Sequence, residues 1–123
     1  MKLVYLFTLF ILPLFSFNES KVEWISPLEH DFGDIEQNKP VVYDFKYVNI
    51  SDDLLTIDNV RTSCGCTASD WIDIPVEASD TSAINIEFDA AKLGYFRKKI
   101  RVFFTGQRKA EILYIEGFVI DEL

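Results

Sequence analysis

A chain of 123 residues with a net charge of −8, 49% hydrophobic and 26% charged, has room for one domain with its own core. That balance excludes a disordered or collagen-like chain, and the excess of acid disfavours general binding to nucleic acid, whose phosphates would repel it. Two cysteines and one histidine are too few for a self-contained structural zinc site.

Met1-Lys2 is a short positive start, and Leu3 to Phe17 carry no charge. As a helix these residues rise about 22 Å, short of the roughly 30 Å hydrocarbon core. Pro13 would break such a helix late. The layout is that of a secretory signal peptide over residues 1–20, with Ser16 and Ser20 the small residues near its end and no clean cleavage pattern. An uncleaved N-terminal anchor is the alternative. A mature chain starting near Asn18 has about 105 residues, no stable membrane span and a charge of 11 − 20 = −9. It would bury roughly 65% of its unfolded surface. Export to the periplasm, cell envelope or exterior places the cysteines in an oxidising compartment.

From residue 21 onward the dominant signal is period-two alternation. Val41, Tyr43, Phe45 and Tyr47 share one face, with Asp44 and Lys46 on the other. Leu55 and Ile57 share a face in the next run. Ile84, Ile86 and Phe88 alternate with Asn85 and Glu87. Phe96, Ile100, Val102 and Phe104 alternate with Arg97, Lys99, Arg101 and Phe103. Leu113, Ile115 and Val119 fall together in the last run, with Gly117 between them. Turn signals separate these runs at Gln37 to Pro40, Asn49 to Asp53, Ala78 to Thr81 and Thr105 to Gln107. Short strands at this spacing, without a helical period, predict an all-β, immunoglobulin-like antiparallel β-sandwich of about seven strands over residues 21–123.

The unusual chemical feature is Arg61-Thr62-Ser63-Cys64-Gly65-Cys66-Thr67. Residues i and i+2 of a strand point to the same side, and Gly65 lets the backbone bend and bring the sulfurs together. Three readings stand side by side. A disulfide closing three residues would add only about 1.6 kcal/mol by chain entropy, and strain offsets part of it; such a bridge would be readily reduced. Two thiolates on one face also suit a redox pair or a soft metal such as copper, with His30 as a candidate third ligand and Arg61 as the nearest cation. The third reading is plain burial at a bend between sheets.

These residues sit in a wider order: Phe32-Gly33-Asp34-Ile35, Phe45-Lys46-Tyr47-Val48-Asn49, Leu55-Thr56-Ile57, Ser63-Cys64-Gly65-Cys66-Thr67, Ile86-Glu87-Phe88-Asp89, Gly94-Tyr95-Phe96 and Ile115-Glu116-Gly117-Phe118-Val119. The order resembles the bacterial domain of unknown function 1573 family over about residues 29–120. The resemblance implies an immunoglobulin-like fold and an exported location; it does not imply an activity. Thr105-Gly106 departs from the Asn that family members often carry there.

Arg97, Lys99 and Arg101 form a basic stripe with Lys98 opposite, and Arg108 and Lys109 follow at the next turn. This is a candidate surface for an acidic partner or a polysaccharide phosphate, or else a solvated face whose charge blocks strand pairing. Trp24 and Trp71 fall outside the clear runs; Trp71 is a candidate cover for the sulfurs or an exposed contact, although packing is the commoner fate of the residue. Asn49-Ile50-Ser51 fits the glycosylation triplet. No phosphate loop, nucleophile elbow or zinc-protease motif is present, and Asp52-Asp53 lies in a polar turn. The leading expectation is therefore a non-catalytic binding or assembly module without a cofactor, engaging a protein or cell-envelope partner. The alternative is a copper-binding or redox site at Cys64 and Cys66.

Overall fold

The computed structural model describes residues 20–123; the leader assigned to residues 1–20 lies, except for Ser20, outside the described residues. Eight strands run in order: β1 Val22–Trp24, β2 Glu29–Glu36, β3 Val41–Asn49, β4 Ile57–Thr62, β5 Thr67–Trp71, β6 Thr81–Phe88, β7 Gly94–Phe104 and β8 Glu111–Ile120. Sheet one has the order β1-β3-β6-β5 and sheet two the order β2-β8-β7-β4. The sandwich expected from the alternation is present, with no helix among the described residues.

The alternating residues meet between the sheets. Phe45, Ile84, Ile86, Ile100, Val102, Leu113 and Ile115 are fully buried, and Tyr47, Phe88, Phe96, Phe104 and Val119 nearly so. Aromatic pairs bridge the layers: Phe88 of sheet one stacks on Phe96 of sheet two at 4.0 Å, and Tyr47 meets Phe104 edge-on at 5.2 Å. Each such side chain contributes about 1.5–3 kcal/mol on leaving water.

The eight strands among the described residues fit the expectation of about seven, although β1, β2 and β5 carry too few aliphatic residues to show alternation. One feature departs from it. One pair, β2 with β8, is parallel, while the other pairings are antiparallel. β2 also shifts register between Asp31 and Asp34. There Gly33 takes φ +68°, a conformation costly for residues with a Cβ, and its N–H donates to Asp31 Oδ1 at 2.8 Å. The extra residue moves Ile35 onto the core face out of step with Phe32, which hides the strand from a period-two reading. Gly117 serves this bulge: a Cβ there would stand 2.9 Å from the Gly33 carbonyl oxygen and 2.8 Å from the Phe96 ring.

Asn49, the residue of the glycosylation triplet, is wholly buried. Its amide donates to the carbonyls of Asp53 at 2.8 Å and Val76 at 2.9 Å, and its oxygen accepts from Ser51 N at 2.9 Å. The nitrogen is committed inside the protein, so the folded chain offers no acceptor for a glycan at that position.

Candidate functional site

β4 is the edge of sheet two and β5 the edge of sheet one, so the chain between Thr62 and Thr67 crosses from one layer to the other. The crossing carries both cysteines. Cys64 and Cys66 are joined as a disulfide with Cα atoms 5.3 Å apart, and both are half-buried. Hydrogen bonds hold the bend. Thr62 Oγ1 shares its proton between the Cys64 carbonyl at 3.0 Å and the Thr67 carbonyl at 3.2 Å. Thr67 N–H donates to the Cys64 carbonyl at 3.4 Å, and Asp89 N–H donates to that of Cys66 at 3.0 Å. Thr67 Oγ1 lies 3.8 Å from each sulfur. A Cβ added at Gly65 would meet only open space.

Joined sulfurs present no thiolate, so the copper reading applies only to a reduced chain. The structure also removes the third ligand proposed for it. His30 lies on β2, at the opposite edge of sheet two from β4, three strand spacings or about 14 Å away. It stacks on Tyr43 at 3.6 Å with Phe32 edge-on at 4.6 Å. Burial there lowers the imidazole pKa below its usual value, against the opposing pull of Asp31. Among the described residues no group of three His, Cys, Asp or Glu side chains is placed to hold a metal.

Because four hydrogen bonds from backbone and hydroxyl donors pin the bend, the bridge is a minor staple. The Cys64→Ser/Cys66→Ser double variant is expected to lose no more than about 1.6 kcal/mol of folding stability. A urea titration checks this, and a loss twice as large would show that the bridge, not the hydrogen bonds, organises the crossing.

Trp71 does not cover the sulfurs. It ends β5 about 13 Å along the strand from Thr67, and with Thr56, Asp58, Asp70 and Asp73 it lines an acidic cleft of about 610 Å³ between the splayed edges of β4 and β5. Trp24 packs on Tyr47 at 5.4 Å.

The basic stripe lies on the outer face of sheet two, as the alternation required, but its members differ in kind. Arg97 donates to Glu29 at 2.7 Å and Glu116 at 3.2 Å and lies over the Tyr114 ring at 4.2 Å. The Glu29 carboxylate chiefly raises its pKa. Lys99 and Arg101 have no acid within ion-pair distance among the described residues. Instead Arg101 stands directly across the ladder from Arg61. Arg61, Thr62, Ser63, Lys99 and Arg101 line a pocket of about 240 Å³. Sequence spacing showed the β7 stripe but missed Arg61, because only the β4–β7 register brings it alongside.

At the other end of the face Tyr95 and Phe118 lie opposite one another on β7 and β8, 63% and 48% exposed. The Tyr95 hydroxyl donates to Glu116 at 3.0 Å, and that bond is the main reason its pKa is raised.

This sandwich, with its paired cysteines at the crossing, meets one sequence profile: residues 24–119 match the family described as Protein of unknown function (DUF1573). The chain belongs to that family. No curated protein matches it. Among solved structures, a protein of unknown function from Porphyromonas gingivalis is 10% identical with a TM-score of 0.66, the match covering 79% of this chain and 46% of that one. The ASH / PapD-like domain of human CEP192 is 11% identical with a TM-score of 0.61, over 84% and 87% of the two chains. A family 123 glycoside hydrolase from Clostridium perfringens is 9% identical with a TM-score of 0.66, over 77% and 23%. At these identities the likeness shows the fold alone. The DUF1573 chain spans less than half of the Porphyromonas protein and about a quarter of the hydrolase. No helix among the described residues is long and apolar enough to cross a membrane.

Proposed function

We propose that this DUF1573 chain is an exported, non-catalytic β-sandwich module that binds a partner protein in the cell envelope through the outer face of sheet two. The apolar leader supports export. The placement of His30 supports a non-catalytic role, since it packs against the rings of Tyr43 and Phe32 rather than beside a nucleophile. The observation that carries the binding reading is the exposed cross-strand pair Tyr95 and Phe118. Large rings left in water on a flat strand face are the residue type that anchors protein interfaces, and the polar rim of Asp31, Asp34 and Glu116 around them fits the same anatomy.

A photo-reactive side chain placed at position 95 or 118 of the exported protein is expected to give an adduct of discrete mass. The same probe at Val42, an equally exposed position on sheet one, is expected to give none. Identical adducts from position 42, or none from 95 and 118, would overturn the reading.

A further inference from the structure

We propose that Arg61, Ser63, Lys99 and Arg101 form an oxyanion pocket that takes a phosphate group, either free or borne on a lipid headgroup. The pocket lies four to six residues, or about 13–20 Å, along β7 from Tyr95, and it does not rest on the aromatic contact proposed above.

The first support is an arrangement that folding alone does not favour. Arg61 and Arg101 are direct partners across the β4–β7 ladder, and like charges in that position repel. The chain is acidic overall and has carboxylates to spare. It uses two of them on Arg97, four residues from Arg101 on the same face. The β8 neighbours of Lys99 and Arg101 are instead Tyr114 and Ile112. Three cations are thus gathered without a counter-charge among the described residues.

The second support is shape. The cations surround a concavity of about 240 Å³, ample for one phosphate group. Arg61 is held over the Phe103 ring at 5.4 Å, which presents the guanidinium with less side-chain freedom to lose. Planar guanidinium groups pair with phosphate oxygens through two parallel N–H donors, and Lys99 adds a mobile ammonium. Continuing the register past Thr62 and Ile100 sets Ser63 opposite Lys99. The Ser63 hydroxyl has no partner among the described residues, and the hydrogen-bonded Thr62 beside it fixes its backbone.

The test is a backbone-amide NMR titration of the chain with sodium phosphate, with chloride added in parallel to the same ionic strength. A second arm uses vesicles of phosphatidylglycerol against vesicles of phosphatidylcholine. Phosphate is expected to give saturable shifts at Arg61 to Ser63 and Lys99 to Arg101. Arg61→Gln and Arg101→Gln are each expected to weaken it about tenfold or more, as loss of a charged hydrogen bond does. Each variant should keep or raise the midpoint of thermal unfolding without phosphate, because it removes a repulsion, and should lose the rise that phosphate gives the parent. Saturable binding to phosphatidylglycerol vesicles alone, lost in the same variants, supports the pocket with a lipid as the source. Equal shifts with chloride, no saturation in either arm, or variants that bind like the parent would each sink it.

Discussion

Phe104→Ala is expected to cost about 3–5 kcal/mol of folding stability, against about 5–15 kcal/mol in total for a domain of this size. Phe104 is 2% exposed at the end of β7. Its ring meets Tyr47 of the other sheet edge-on at 5.2 Å and Trp24 at 6.4 Å. The truncation removes transfer free energy, leaves a cavity and breaks aromatic contacts that bind the layers at the same time. A rigid sandwich cannot collapse around the gap without moving a strand of each sheet. Phe103→Ala, one residue earlier on the outer face, is expected to cost far less. Urea unfolding of the two variants checks the contrast, and equal losses would mean that the assigned inner and outer faces of β7 are wrong.

Asn49→Ala is expected to cost about 2–4 kcal/mol, although it removes only a small polar group. Its amide is the donor for the Asp53 and Val76 carbonyls, and its oxygen receives both Ser51 donors, the hydroxyl at 2.6 Å. The alanine removes four hydrogen bonds at once, each worth about 0.5–1.5 kcal/mol, and leaves the Val76 carbonyl with only the Leu55 N–H at 2.9 Å. The lost bonds also free the Ser51–Asp53 turn from the segment that pairs Leu55 with Val76. Asn49→Asp is expected to be no better, because a carboxylate turns an acceptor toward two carbonyl oxygens. Ser51→Ala should cost about 1 kcal/mol or less, since that residue sits nearer the surface. A ranking with Ser51→Ala above Asn49→Ala in thermal unfolding would refute this account of the turn.

The parts of the fold that were legible in the sequence are those in which burial acts on both neighbours of every second residue. β3, β6, β7 and β8 alternate cleanly because each lies against the opposite sheet along most of its length. β2 was not legible, since the bulge at Gly33 breaks the period and its partner β8 comes from the far end of the sequence. β5 has the right period in Thr67, Ser69 and Trp71 but spells it in polar atoms. The site was half legible. Cys64 and Cys66 were found at a bend between sheets, and Arg97, Lys99 and Arg101 on one face. The pairing of Arg61 with Arg101 and of Tyr95 with Phe118 depends on strand register, which a single chain of residues does not print. The distance between His30 and the cysteines likewise follows from strand order and not from spacing.

The parallel pairing of β2 with β8 has a mechanical consequence. Tension applied to the N-terminal end of β2 and the C-terminal end of β8 pulls the two strands past one another, so the rungs from Glu29–Tyr114 to Glu36–Ile120 bear the load together, in shear. An antiparallel hairpin such as β7–β8, pulled from its open end, would unzip one rung after another. A module built this way is a stiff link along that axis.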